Sequence, residues 1–473
     1  MLKFFKDFLI YGLASTLGKL AALFLMPLYT SILTHEEYGA MAMLLSAKGI
    51  IDLVSNLNIH SGIARDFYEK GIDRKALVST GLWSILSLSL SIMMIMIVSR
   101  HFWVDHVLNV SGYVTCFIIV LLSIPTGSVQ SYFAILTRFK KKPVLFAVGT
   151  LLQLAIQIGV SIYSVVVLRI GINGVFLGTL LGEVFGVVYF SIVNREYIGI
   201  SFKREYLKRA LLFALPTLPA IAAGWVDSSF GQMLVGRFVS LDDLGVYSIA
   251  LQFASVFTLI STALGNVWSP FLYENYKKDG FERQINNLFV VIVTLLIIVS
   301  TASSLFSREI ILLFSNATYL KAGEYLTLLC IPMAFYVLFP IASSGISISR
   351  DTKFIGIAYV TGSVINIVSL FILLPRVGVI VVPICLALSR IVAYCIMFTV
   401  TKHKKLYDQL PNWYLLMLVA IIVSCYFLHR LNLSFCWRLL VFTLFSTGLY
   451  IVVDKQIKVS DVIKALIHKK QTP

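Results

Sequence analysis

Six charged side chains stand inside long apolar stretches of this sequence, where a charge is expensive to keep: Lys19, Lys48, Asp52, Glu183, Asp227 and Arg390. An ionisable group in hydrocarbon costs a few kcal/mol or more, so such residues usually face a bundle interior or an aqueous path. Tyr11, Ser15 and Lys19 recur every fourth residue, and Lys48, Asp52, Ser55, Asn56 and His60 also follow helical spacing, so each stretch presents one polar face. Lys48 and Asp52, one turn apart, form either a structural ion pair or part of a binding or coupling site. Lys19 has no acidic partner within two turns on its own stretch; it either bonds Asp52 or, if Lys48 takes Asp52, stays available to an anion. Arg390 either snorkels towards the nearer membrane face or reaches inward. Arg65 closes its stretch as a solvated or headgroup-facing anchor that an anion entering from the inner leaflet would still pass. Asp227 follows the Pro216-Thr217-Leu218-Pro219 break beside Ser228, Gly231 and Gln232. It is a candidate for coupling to protons or sodium, or else an internally bonded carboxylate. Glu183, among Gly178, Gly182 and Gly186, reads as a helix-packing position satisfied by a neighbour, with coupling as the alternative.

The elements that must position these residues are membrane-spanning helices. Of 473 residues, 58% are hydrophobic and 13% charged, whereas a soluble chain carries about a quarter charged residues. Crossing about 30 Å of hydrocarbon takes roughly 20 apolar residues in a helix. Fourteen runs qualify: 7–33, 39–62, 76–99, 113–136, 144–167, 171–193, 210–235, 244–268, 285–306, 324–348, 354–374, 377–400, 412–429 and 434–453. The first is far longer than the apolar core of a cleavable signal peptide and is expected to remain as a span. The sequence therefore predicts an all-α integral membrane protein with about fourteen transmembrane helices.

Placing the N-terminus in the cytoplasm puts 28 Lys and Arg residues in inside segments and 8 outside, Arg438 at the start of the last run being counted with the loop before it, and leaves Lys19, Lys48 and Arg390 within spans. That bias predicts both termini inside. Glu36-Glu37-Tyr38-Gly39 recurs as Asp242-Asp243-Leu244-Gly245, Tyr68-Glu69 as Tyr273-Glu274, and Arg169-Ile170-Gly171 as Arg376-Val377-Gly378, at offsets of 206, 205 and 207. Three matches at nearly one offset predict two parallel six-helix repeats, 1–209 and 210–405, followed by two further helices and a basic tail over 406–473. A cavity is expected between the repeats, as in transporters built from parallel repeats. Its polar walls are expected from Thr150, Gln153, Gln157, Ser161 and Ser164, and from Ser248, Gln252, Ser255, Thr262 and Asn266, although bonding between helices is the commoner use of such residues. Pro332 and Pro340 mark either a bend used in gating or a static kink.

Several functions find no support. The formal charge of +16 is spread in short clusters between apolar runs, as membrane anchors are, so nucleic acid is not the expected partner. No phosphate-binding Gly-rich loop, His-Glu-x-x-His or Cys/His metal spacing occurs, and the six cysteines lie scattered in apolar segments. No catalytic residue, cofactor or metal is assigned, and no loop is long enough for a soluble domain.

Gly18-Lys19 through Met26-Pro27-Leu28-Tyr29-Thr30, the loop Leu33-Thr34-His35-Glu36-Glu37-Tyr38-Gly39, and Asp227-Ser228-Ser229 followed by Leu244-Gly245-Val246-Tyr247-Ser248 resemble the Wzx-type polysaccharide flippases of the multidrug/oligosaccharidyl-lipid/polysaccharide exporter superfamily. The likeness extends over about the first twelve spans. Where relatives often carry Asn-Ser-Ser-Asp-Arg, this chain reads Asp227-Ser228-Ser229-Phe230-Gly231, so a role attached to that Asp-Arg pair does not carry over. The resemblance implies translocation of an undecaprenyl-diphosphate-linked oligosaccharide across a bacterial cytoplasmic membrane, by alternating access, for O-antigen, capsule or exopolysaccharide assembly. For such an anionic substrate Lys19, Lys48, Arg65 and Arg390 are the candidate binding cations, with Asp52, Asp227 and Glu183 as candidate coupling or ion-pair residues. H+ or Na+ and other polysaccharide assembly proteins are the further partners implied. A lipid II flippase and a multidrug/cation antiporter are the alternatives within the superfamily. A membrane polymerase or ligase of polysaccharide is the alternative outside it, disfavoured by the lack of a large external loop.

Overall fold

The computed structural model describes residues 17–18, 21–349, 351–403, 410–430 and 434–457, and among these every regular element is helical. Among the described residues eleven helical stretches are long and apolar enough to cross a membrane, and Ala21–Ile32, Trp413–Leu428 and Phe435–Ile451 are shorter apolar helices. The chain is a multi-span, all-α membrane protein. It divides into two compact units, the first over Met1–Ser248 with Leu370–Val379 and the second over Ile249–Ser369 with Ile380–Pro473.

The first unit holds α1 (Ala21–Ile32), α2 (His35–Asn56), α3 (Ile59–Asp66), α4 (Arg74–Val98), α5 (Val114–Phe139), α6 (Pro143–Ile162), α7 (Ile172–Val193), α8 (Arg204–Ala214), α9 (Leu218–Trp225), α10 (Gly231–Phe238) and the start of α11 (Leu241–Ala254). Local chemistry sets the ends. Thr34 caps α2 in a reciprocal box with Glu37, and the Asp73 side chain accepts the Ala76 N–H at the start of α4. The run expected over 39–62 is broken, because Leu57 and Asn58 both take left-handed backbone (φ 47° and 54°) between α2 and α3. The Asn58 amide donates to the Thr217 hydroxyl at 2.8 Å, which ties this break to the proline-containing turn Leu215–Thr217 ahead of α9.

Helix α7 packs against both α5 and α6, and its glycines set the spacing. A Cβ on Gly178 would meet the Ser161 hydroxyl at 2.1 Å, and one on Gly182 would meet the Gln157 side chain at 2.9 Å. In lipid, where apolar area gives no drive between helices, such close approach supplies the packing. The first turns of α2 and α11 meet still more closely. A Cβ on Gly39 would lie 1.8 Å from the Leu241 carbonyl oxygen, and one on Gly245 would lie 2.2 Å from that of His35. The two glycines of the repeated motif thus each receive the other copy's backbone.

In the second unit lie α12 (Val256–Asn275), α13 (Phe281–Leu305), α14 (Ser307–Phe314), α15 (Ala322–Ala342), α16 (Ser344–Ser349), most of α17 (Lys353–Val377), α18 (Val381–His403), α19 (Trp413–Arg430) and α20 (Phe435–Ile457). Almost every residue of α15 is buried, against α12, α13, α18 and α19, and the helix runs continuously through Pro332 and Pro340. Helix α20 is fastened by Arg438, whose guanidinium grips Glu309 through two bonds of 2.9 and 2.6 Å and also donates to the Leu305 carbonyl.

Candidate functional site

The charged residues of α2 meet an acid from α7. The Lys48 ammonium lies 2.9 Å from Asp52 Oδ2 and 3.4 Å from Glu183 Oε1, with the Lys48 and Glu183 side chains 12% exposed and Asp52 32%. The i,i+4 spacing on α2 makes the first contact local, whereas the second needs α7 to lie beside α2. Glu183 is held from a third helix as well. Thr126 of α5 donates its hydroxyl to Glu183 Oε2 at 3.1 Å, and a Cβ on Gly127 would lie only 2.9 Å from Oε1. Glycine at 127 is what leaves room for the carboxylate. With both acids ionised the cluster carries a formal charge of −1, and Asp52 Oδ1 is buried with no hydrogen-bond partner among the described residues.

The segment that carries Asp227 flanks this cluster. The Trp225 indole donates to the Ser46 carbonyl at 3.1 Å, and its edge packs over Gly49. Immediately after it, Val226–Phe230 forms a π-helical turn that packs on α2 and contains Asp227 and Ser228. Single π turns are frequent where a helix has been reshaped for function. Asp227 is half-buried there, while Ser228 is exposed and donates to the Trp225 carbonyl. Phe230 of the same turn stacks edge-on to Phe371, which belongs to the same unit.

The remaining expected residues are dispersed. Lys19 lies outside the described residues. Arg65 is exposed on the last turn of α3, its guanidinium 5.3 Å from the centre of the Phe213 ring, and it forms no ion pair among the described residues. Arg390 sits in the second unit and is 6% exposed. It donates to the Pro332 carbonyl at 3.0 Å and lies 4.9 Å from the centre of the Tyr336 ring, so it reaches inward to α15 and does not snorkel. The polar stripe of α6 also serves α5 and α7. Gln153 accepts from Gln130 at 2.8 Å, Gln157 donates to Thr179 at 3.3 Å, and Ser161 donates to the Val175 carbonyl at 3.4 Å. Of the second stripe, Ser248, Ser255 and Thr262 bond carbonyls of their own turns.

Sequence spacing cannot show two features of the site, the Glu183 to Lys48 contact and the seat of Trp225 on α2. The glycine at 127 and the tryptophan two residues before Asp227 are the signals that point to them.

Comparison with known proteins gives a family and a fold. The family model described as polysaccharide biosynthesis protein matches residues 4–276, and the MatE model matches residues 216–372. No curated protein matches the sequence. Among solved structures, the lipid II flippase MurJ in an inward closed conformation is similar over 96% of this chain and 100% of its own, with a TM-score of 0.76 at 14% identity. An inward-facing multidrug resistance MATE family transporter of the MOP superfamily covers 87% of this chain and 95% of its own, at TM-score 0.62 and 17% identity. A Vibrio cholerae MATE transporter gives a TM-score of 0.55 at 12% identity, over 84% of this chain and 94% of its own. Because the first family model takes in more than half of the sequence, this chain belongs to the polysaccharide biosynthesis protein family, built on the helical fold that MurJ and the MATE transporters share.

Proposed function

We propose that this protein is a flippase that carries an undecaprenyl-diphosphate-linked oligosaccharide from the inner to the outer leaflet of a bacterial cytoplasmic membrane, by alternating access, for surface polysaccharide assembly. The observation that carries the reading is the family match over residues 4–276, joined to a fold like that of a lipid-linked-substrate flippase. On this reading Lys19 supplies the cation that meets the diphosphate, and Arg65 lies on its way in. No bond of the substrate is made or broken.

The cluster of Lys48, Asp52 and Glu183 takes the coupling role. One ammonium cannot neutralise two carboxylates, so a proton or another monovalent cation taken up there removes the formal charge of −1. Such a change of net charge inside a helix bundle is what a transport cycle needs in order to link ion entry to a change of state. Both termini are placed in the cytoplasm on the charge count, and the units 1–209 and 210–405 are taken as the two repeats.

A lipid II flippase is the second reading, favoured by the likeness that covers the whole of the MurJ chain. One strain experiment separates the two. Deletion should leave complete lipid-linked repeat units on the cytoplasmic leaflet and strip polymer from the surface while cell-wall synthesis continues. Continued export of polymer in a strain with no second flippase would overturn the proposal. Arrest of cell-wall synthesis on deletion, with rescue of a strain depleted of its lipid II flippase, would favour the second reading.

A further inference from the structure

A cavity of about 940 Å³ lies wholly within the first unit, apart from the Lys48 cluster, between the end of α1, the start of α5 and the loop that joins α6 to α7. Its polar lining includes Glu37, Tyr113, Arg169 and Asn173, and Ile32 and Ile170 contribute apolar wall. Its volume is near the upper end of the roughly 300–1,000 Å³ usual for small-molecule sites. These helix ends are those that the charge count places outside the cytoplasm.

The lining is specific in what it leaves open. Arg169 forms no ion pair among the described residues, and its backbone is left-handed (φ 52°), a conformation that disfavours a non-glycine residue. Gly171, two residues on, is also at positive φ (58°), and a Cβ there would come 3.0 Å from Glu37 Oε1. Glu37 Oε2 already accepts the Thr34 N–H at 2.9 Å, and Asn173 Oδ1 accepts the Cys116 thiol at 3.0 Å. What remains is a fork of guanidinium donors, a carboxamide NH2 and a carboxylate oxygen, with the Tyr113 ring beside them. An anion would suit Arg169 but be repelled by Glu37, and a cation the reverse. A hydroxyl group donates and accepts at once, so a row of hydroxyls satisfies both.

We propose that this cavity binds the sugar portion of the transported molecule, about two or three rings, with Arg169, Glu37 and Asn173 bonding the hydroxyls and Tyr113 facing the ring carbons. The identity of the sugar as part of a lipid-linked substrate rests on the function proposed above, whereas the chemistry of the site rests on the cavity alone.

The probe is the free oligosaccharide released by mild acid from lipid-linked intermediates of the native host. It is titrated into the full-length protein in lipid nanodiscs and followed by saturation-transfer NMR. Wild type should bind it, and Arg169→Asn should weaken binding at least fivefold, asparagine being chosen because it tolerates the left-handed backbone. Asn173→Ala, at a position with ordinary helical backbone, should weaken it severalfold with an unchanged melting temperature. Equal binding by wild type and both variants, or no binding by wild type, overturns the site. A parallel transport assay in proteoliposomes carries the other question. If wild type binds the oligosaccharide through Arg169 yet moves no lipid-linked intermediate, the site stands and the proposed function falls. If wild type moves the intermediates and Arg169→Asn moves them equally, the site falls alone.

Discussion

Removing the Lys48 ammonium (Lys48→Met) leaves Asp52 and Glu183 facing one another across a site with little water. The distances of 2.9 and 3.4 Å place each attraction at roughly 5 kcal/mol for an effective dielectric constant near 20, before desolvation is subtracted. Measured losses on deleting one partner of a buried pair are about 3–5 kcal/mol, and that is the expected range here. Glu183→Gln acts differently, because it leaves the Lys48–Asp52 pair neutral and keeps an oxygen for the Thr126 hydroxyl, so its cost should stay within about 1 kcal/mol. The double variant should then be less unstable than the sum of the two singles by about 2 kcal/mol. The assay is unfolding in mixed detergent and SDS micelles for wild type, both singles and the double. Acid should narrow the gap between Lys48→Met and wild type, since protonated carboxylic acids need no counter-cation. Strict additivity, or a Lys48→Met loss below about 1 kcal/mol, would refute the claim that the three residues form one electrostatic unit.

Lys19→Ala should lower translocation with near-normal abundance, and Lys19→Arg should be milder but short of wild type, because guanidinium and ammonium differ in shape; surface polymer and immunoblots measure the two quantities, and full polymer in Lys19→Ala would contradict a diphosphate role. Gly39→Val and Gly245→Val should each force α2 and α11 apart, with a melting temperature lowered in both, since the gaps of 1.8 and 2.2 Å leave no room even for a methyl group; an unchanged melting temperature in either would count against the contact. Asp73 is held below the usual aspartate range first by the Ala76 N–H and then by the Lys203 ammonium. Its charge therefore stabilises the fold above the ordinary value of 3.8 and stops doing so as pH falls through the lowered one. Wild type should melt above Asp73→Asn at neutral pH and lose that lead only in acid well below the ordinary value of 3.8, and a lead that persists there would point to shape, not charge.

The helical membrane class is legible in the sequence because apolar runs of the right length have few other uses. So is the Lys48–Asp52 pair, because i,i+4 spacing fixes it within one helix. The break at Leu57 and Asn58 is not, since two residues in left-handed backbone leave the apolar pattern intact on either side. The polar stripe of α6 shows how far a pattern goes: the amides and hydroxyls do share a face, but α7's glycines bring that face against a helix, where Gln157 bonds the Thr179 hydroxyl and Ser161 the Val175 carbonyl, while Gln153 pairs with Gln130 of α5. Arg390 illustrates the limit from the other side. One of its partners is the backbone carbonyl of Pro332, and no side-chain chemistry in the sequence announces an acceptor of that kind. The glycines near Glu183 are readable as close packing, while the partners of its carboxylate, the Thr126 hydroxyl and the Lys48 ammonium, come from other helices far away in sequence.

The meeting of Gly39 with Leu241 and of Gly245 with His35 has an evolutionary consequence. When residue i touches j and the equivalent of i touches the equivalent of j, the arrangement is the one a two-fold axis generates from a single surface. If the chain descends from a shorter one that paired with itself, a single codon once specified both glycines, and every change at it struck the contact twice. Joining the copies end to end ended that constraint. Each glycine then became free to change alone, yet the backbone oxygen opposite each still excludes a side chain. The residues before them read Glu-Glu-Tyr in one place and Asp-Asp-Leu in the other, while glycine stands in both.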